Sequence, residues 1–168
     1  MSSSEAEQTT VAVGIGKIYA TKDPSMVLVS CGLGSCVAVS IYDPVARVGG
    51  LAHVMLPSSK ETGDRAASHR FADVAVPALV KELIKLGATP GHVVCKIAGG
   101  AQMLAAPGQR NGQSIGERNV EAVKKALIEL GIVPDSADTG GTQGRTMRLF
   151  MDTGRVVVRT ARGEDVDI

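Results

Sequence analysis

The chain has no tryptophan, only two tyrosines and two phenylalanines. So few rings leave little for the bases of a single-stranded nucleic acid to stack on. Charge does not make up for them: eighteen Lys+Arg against seventeen Asp+Glu give a formal net charge of +1, with no field to gather phosphates or anionic lipid. Nucleic acid is therefore not an expected partner. No apolar run approaches the roughly 20 residues a membrane span needs. The opening MSSSEAEQTT is polar and acidic where a secretion signal would be basic and then apolar, so the expectation is a cytoplasmic protein without membrane insertion. Cysteine is also scarce. Three thiols are an odd number, without a CxxC pair, and are expected to stay reduced. Internal repeats, heptad runs and a P-loop are missing too.

What is present is small apolar side chain. With 44% hydrophobic residues in 168, the chain can build a core without disulfide or metal staples. The expected organisation is a polar tail over residues 1–10, one domain over 11–162 and a C-terminal tail over 163–168, as a monomer.

The apolar spacing changes once along the chain. VAVGIGKIYAT, MVLVSCGL, CVAVSIYD and VGGLAHVMLP are β-branched runs broken by KDPS, by a glycine-bearing turn and by Asp43-Pro44, and they read as a β meander. Residues 58–70 carry charge and small polar side chains without a period, which reads as a surface loop. From Phe71 apolar residues recur at three and four up to Leu86, with Gly87 as a stop, predicting a helix that bends at Pro77 or begins near it. HVVCKIAGG reads as a strand, followed by a Gly-, Ala- and Pro-rich stretch to Gln113. A second helix follows, with a stripe of Val120, Val123, Leu127 and Leu130, Glu117 in its first turn and Gly131 closing it. RTMRLFMDTGRVVVRTA is a hairpin turning at Asp152-Thr153-Gly154. Strands in a block, then strands alternating with two helices, predict an α+β fold of mixed sheets with helices packed outside.

One turn carries chemistry. In CGLGSCVAVSIYDP, Cys36 stands where a glycine-bearing turn meets an apolar strand, with Cys31 five residues earlier. A cysteine in such a strand is ordinarily a small buried hydrophobe, and Cys95 inside HVVCKIA fits that reading. Cys36 has different neighbours. Gly32 and Gly34 permit a tight turn whose N–H groups, around Gly34 and Ser35, converge near the thiol, and converging donors are what a developing oxyanion needs. A thiol with an ordinary pKa near ~8.5 also needs a base. Of the three histidines, His92 precedes a strand and His69 lies in the polar loop. His53 lies on the strand predicted to pair with that of Cys36, where it is either a satisfied structural residue or that base. An imidazole needs an orienting acceptor for its second N–H, and Ser30 offers a hydroxyl at the end of MVLVS, unless it is only a strand-end cap. Zinc is a rival for Cys31, Cys36 and His53, although no zinc-knuckle spacing joins them. Cys31 could also form a disulfide with an oxidised Cys36.

Taken in order, LGSCVAVSIYDP, GGLAHVMLP, FADVAVPALVKEL, KIAGGAQML, IGERNVEAVKKAL and DTGGTQGRTMRLFMDTGRVVV resemble the CheD family, the chemoreceptor glutamine deamidases, from about Val11 to Thr160. The resemblance implies hydrolysis of particular glutamines of methyl-accepting chemotaxis receptors to glutamate. It places the family's catalytic cysteine and histidine on Cys36 and His53. Its third member, commonly threonine, falls on Ser30, where the lost methyl would leave the histidine less firmly oriented. No metal or organic cofactor is implied. A further implied partner is CheC, a phosphatase of the response regulator CheY, so a regulatory binding module with minor catalysis is the alternative. The implied fold is similar to the catalytic domain of the CNF-type toxins that deamidate Rho proteins. Gly99, Gly100 and Ala101 either let backbone approach the site or form a plain turn; Gln102, Arg118, Asn119, Gly140, Gly141 and Arg145 lie in the matching strings without an assigned role.

Overall fold

The structure is a computed structural model that describes residues 7–60, 68–103 and 112–168. Most of the expected N-terminal tail, the middle of the 58–70 loop and part of the stretch before Gln113 lie outside the described residues.

Among the described residues the chain forms β1 (Thr9–Ala12), β2 (Ile18–Thr21), β3 (Met26–Leu33), β4 (Val37–Asp43), β5 (Val48–Val54), α1 (Ala72–Lys85), β6 (Val94–Gly99), α2 (Ile115–Glu129), β7 (Ser136–Thr139), β8 (Arg145–Phe150), β9 (Val156–Thr160) and β10 (Asp165–Asp167). They build two five-stranded sheets, ordered β1-β3-β8-β9-β10 and β2-β5-β4-β6-β7. Each has one parallel pair, β1 with β3 and β6 with β7. The fold is α+β with mixed sheets and two helices.

The alternation of side chains across β4 and β5 explains the layers. Val37, Val39 and Ile41 of β4 and Ala52 and Val54 of β5 pack with Ala75, Val76 and Leu79 of α1 and Val123 and Leu127 of α2. Cys36, Ala38, Tyr42 and Leu51, on the opposite face, pack with Leu28, Met147, Leu149 and Val158 of the other sheet. Both faces of β4 and β5 are thus covered and every residue of both strands is buried, which is why they read as continuous apolar runs. Each fully buried Val or Leu contributes about 1.5–3 kcal/mol.

The first strands are not a meander. β3 and β4 are consecutive in the chain but belong to different sheets, β2 pairs with β5, and β3 pairs with β8. The turn after β3 carries the chain across the sandwich, so only β4 and β5 form a local hairpin. Apolar alternation marks a strand but is silent about its partner. A bulge at Cys31–Gly32 shifts the β3–β8 register, with Ser30 opposite Met147 and Leu33 opposite Arg145. The extra residue puts Leu33 on the same inner face as Leu28 and leaves Cys31 exposed.

Both helices follow the spacing, except that Leu130, expected in the α2 stripe, lies past the helix end as its cap and is exposed. α1 buries Ala72, Ala75, Val76, Leu79, Val80 and Leu83, and Pro77 stands inside it, past the first turn. α2 opens with a capping box: Ser114 Oγ accepts from Glu117 N–H, and the Glu117 carboxylate accepts from Ser114 N–H. The expected C-terminal tail instead ends in an edge strand, β10 pairing antiparallel with β9. The exposed ion pairs Arg155–Asp167 and Arg159–Asp165 reach across to it. Thr9 and Thr10, placed in the N-terminal tail by composition, begin β1.

Candidate active site

His53 is the next-to-last residue of β5 and lies opposite Ala38 of β4. Cys36 precedes Ala38 by two residues, one residue before the ladder's last rung, and packs on that same face. The packing agrees, since Cys36 and Ala38 join the inter-sheet cluster while Val37 joins the helix side. Both groups are buried, Cys36 at 8% exposed and His53 at 1%.

The tautomer of His53 follows from its neighbour. Nδ1 stands 3.1 Å from the carbonyl oxygen of Val13. A carbonyl only accepts, so Nδ1 carries the hydrogen and, in the neutral ring, Nε2 keeps its lone pair. Nε2 is buried and has no hydrogen-bond partner among the described residues. Burial pulls the His53 pKa below its ordinary 6.5, partly offset by the Val13 bond. Burial pushes the Cys36 thiol above its ordinary 9.0, partly offset by its own backbone N–H. The resting pair at neutral pH is therefore thiol and neutral imidazole.

Ser30 is fully buried, but it does not occupy the place expected of it. Its Oγ donates to the same Val13 carbonyl, at 3.0 Å, so the acceptor facing Nδ1 is Val13 and not the Ser30 hydroxyl. The carbonyl is exposed to both because β1 ends at Ala12: Val13 N–H still bonds Val29 O, and the chain then turns through Gly14–Lys17 towards β2. That turn also holds β5, with Gly16 N–H bonding His53 O and His53 N–H bonding Lys17 O.

The Cys36 turn is gripped by its carbonyls. Gly34 O accepts from Ala101 N–H and Cys36 O from Gly100 N–H, each at 2.8 Å, and Ser35 O accepts from the Asn119 side-chain amide at 2.9 Å. Of the N–H groups expected to face an oxyanion, that of Gly34 is spent within the turn on Gly32 O at 3.0 Å, whereas those of Ser35 and Cys36 donate to no backbone carbonyl among the described residues. The approach of Gly99 to Cys36 demands glycine: its φ is +116°, and a Cβ there would lie 2.1 Å from Cys36 O. The AGGA string thus brings backbone up to the turn, the first of its two readings. Gly140 N–H bonds Gly99 O at 3.0 Å, Gln102 N–H bonds Gly141 O at 2.9 Å, and Arg145 reaches both Gly99 O and Asp138. Two of the groups that hold this site, the Val13 carbonyl and Asn119, carried no role in the sequence reading. Every residue has a carbonyl, so Val13 sends no signal. Asn119 does send one, as a polar residue on a stripe with Val120 and Val123.

The remaining sequence candidates stand apart. Cys31 is exposed, His92 is exposed and His69 half-buried, and Cys95 is buried with its thiol pushed up to about 12 by burial and then by Asp135. Among the described residues no group of three His, Cys, Asp or Glu side chains could hold a metal ion. No helix among them is long and apolar enough to cross a membrane.

The fold and the site together define a two-sheet α+β protein with a buried cysteine and a buried histidine, half-partnered among the described residues, on one face of a strand pair. A family described as CheD, chemotactic sensory transduction, matches residues 55–160. The chemoreceptor glutamine deamidase CheD of Thermotoga maritima is 46% identical over 157 residues, covering 93% of this chain and 96% of that protein. The probable chemoreceptor glutamine deamidase CheD of Symbiobacterium thermophilum is 46% identical over 155 residues, covering 91% and 94%. That of Caldanaerobacter subterraneus subsp. tengcongensis is 42% identical over 154 residues, covering 92% and 94%. Spans of this length necessarily include residues 30–53. A crystal structure of the hypothetical protein YfiH of Bacillus licheniformis is similar with a TM-score of 0.46 and 19% identity, over 74% of this chain and 49% of that one, about half its length. The chain belongs to the CheD family.

Proposed function

We propose that this chain deamidates glutamine side chains of chemotaxis receptors to glutamate through Cys36 and His53. As a member of the CheD family it is a hydrolase acting on glutamine amides, with chemoreceptors as substrates. The observation that carries the residue assignment is the buried Nε2 of His53, without a partner among the described residues, on the face that Cys36 shares.

Sγ of Cys36 attacks the amide carbon as its proton passes to Nε2 of His53. The tetrahedral oxygen is held by the N–H groups of Ser35 and Cys36; Gly34 keeps this turn tight, and one such donor is worth roughly 3 kcal/mol of barrier. Nε2 returns the proton to the amide nitrogen, the C–N bond breaks, ammonia leaves and a thioester remains. A water then gives a proton to Nε2 and attacks the thioester carbon. The C–S bond breaks, the sulfur recovers the proton, and the product is glutamate. These steps call on no metal or organic cofactor. Each event adds one negative charge to the receptor. Ser30 acts at one remove, by sharing the acceptor that fixes the imidazole.

The test is mass spectrometry of a receptor cytoplasmic fragment incubated with the protein. Conversion of glutamine to glutamate that is lost in Cys36→Ala supports the assignment; conversion undiminished in that variant overturns it. The regulatory alternative is separated by the same protein. Capture of a CheC-type phosphatase by Cys36→Ala, with no ammonia released by the unsubstituted chain, favours binding over catalysis.

A further inference from the structure

The β4–β5 ladder ends one residue short of Cys36. Its last rung pairs Val37 with Val54, and beyond it the two strands part: Ser35 and Cys36 turn back to β3, while Met55 and Leu56 run to Arg70 and Phe71. No backbone rung joins Cys36 to Met55. In that position stands the side chain of Asn119, fully buried, whose Nδ2 donates to Ser35 O and to Met55 O, each at 2.9 Å. One amide nitrogen, with a hydrogen for each carbonyl, replaces the missing rung. The two acceptors also fix the orientation of the amide, since the reverse would set oxygen against oxygen.

Asn119 Oδ1 is buried and has no partner among the described residues. A buried acceptor left unsatisfied is destabilising, and an apolar side chain of similar size would avoid it. The polar residue is therefore explained by what its nitrogen holds. Its platform is stiff: the Ser114–Glu117 capping box anchors the first turn of α2, and Gly116 packs so closely that a Cβ there would lie 2.5 Å from the carbonyl oxygen of Gly100, the residue whose N–H grips Cys36 O.

We infer that Asn119 is a positioning residue for Cys36, closing the open end of the β4–β5 pair so that the sulfur keeps its place against the His53 imidazole. This rests on the assignment of Cys36 and His53 as the reacting pair. Asn119 touches no reacting atom; its effect passes through the turn backbone. Removing it lets the Ser35–Cys36 segment drift from β5, and displacement of about 1 Å in a reacting group is enough for losses on the order of 100-fold.

The experiment uses the full chain with Cys31→Ser, which removes the exposed thiol and leaves Cys95 buried. Asn119→Leu and Asn119→Ala both delete the donor, the first keeping bulk and the second sparing strain. Receptor deamidation gives kcat and KM, and the rate of Cys36 alkylation by iodoacetamide across pH reports the sulfur without needing turnover. The expected result is a fall in kcat of roughly 10- to 100-fold with KM within about twofold, a changed pH profile of alkylation, and partial recovery of both in Asn119→Gln. A folded variant whose kcat and alkylation profile match the parent overturns the inference. So does lower thermal stability with both readouts unmoved, and so does failure of both variants to fold, since either makes Asn119 a support of the fold alone. If the Cys31→Ser parent deamidates no receptor glutamine, the functional assignment fails instead, and the alkylation profile still decides the role of Asn119.

Discussion

Ser30 and His53 are joined through a carbonyl, not to each other: Oγ of Ser30 and Nδ1 of His53 both donate to Val13 O, at 3.0 and 3.1 Å. Val13 O has two lone pairs and both are used. Deleting the hydroxyl leaves the imidazole its bond, whereas deleting the imidazole removes the base proposed for the thiol. Ser30→Ala is expected to cost about 1 kcal/mol of stability and less than about tenfold in kcat. His53→Ala is expected to abolish turnover while the fold persists. Thermal melts and ammonia release on the two variants check this, and a dead Ser30→Ala would show that its hydroxyl does more than share an acceptor.

The two burial-driven pKa shifts set a pH window for the reaction. As the proposed base His53 must be neutral, and it titrates below 6.5, so the acid limb of kcat/KM is expected below pH 6.5; the Cys36 thiol titrates above 9.0, so its limb lies on the alkaline side. The expected profile is a plateau between them, absent in His53→Ala, and a rate that climbs through pH 7 to 9 as a simple thiolate titration would contradict it.

The same shifts act on stability. Below pH 6.5 the unfolded imidazole takes up a proton that folded His53 refuses, so the unfolded state binds more protons and stability falls as pH drops from 6.5 towards the folded value. Above 9.0 the unfolded thiol loses a proton that folded Cys36 keeps, so stability falls as pH rises. Denaturant unfolding of His53→Gln is expected to show a shallower acid-side loss than the parent; equal slopes would mean that carboxylates account for all of it.

Much of this arrangement is legible in the sequence. The helices announced themselves because their stripes and stops are local: Leu79 and Leu83 recur at helical spacing, and Gly87 and Gly131 follow the two helices with φ of +109° and +74°. The β8–β9 hairpin was equally local, with Gly154 at φ +77° in its turn. Sheet membership was not, because β4 is apolar on both faces and its sequence cannot say whether β3 or β6 lies beside it; the actual neighbours are β5 and β6. That Cys36 and His53 fall on one face is legible because His53 lies on a true hairpin whose first strand Cys36 immediately precedes, and register there follows from the short connection. The Val13 carbonyl and the grip of Asn119 depend on contacts between segments 17 to 84 residues apart, which no local pattern encodes.

The capping box of α2 offers a remote handle on the site. Ser114→Ala removes the acceptor for Glu117 N–H and is expected to cost about 1 kcal/mol. The first turn of α2 also carries Gly116 and leads into Asn119, so fraying there loosens the Cys36 turn. Hydrogen exchange is expected to rise at the N-terminal end of α2 and around Ser35–Cys36 together, with no change in β8–β9. A rise confined to α2 would show that the turn is held independently of it.

Gly99 tests whether the backbone of the proposed nucleophile can be moved without touching a polar group. A Cβ on Gly99 would lie 2.1 Å from Cys36 O and 3.2 Å from Val37 Cα, both main-chain atoms that cannot swing aside as a flexible side chain would. Its φ of +116° adds backbone strain for any L side chain, about 1–3 kcal/mol. Relief requires β6 and the Cys36 turn to separate, which breaks the Gly100 N–H to Cys36 O bond on which the turn hangs. Gly99→Ala is therefore expected to lose at least about 2 kcal/mol of stability and, in the protein that remains folded, most of its deamidation. In Gly87→Ala, by contrast, the new Cβ meets nothing within 4 Å and lies far along the chain from the turn, so its cost should be strain alone, with activity retained. Equal activity losses in the two variants, measured at matched folded fraction, would mean that the loss at Gly99 comes from general destabilisation and not from displacement of Cys36.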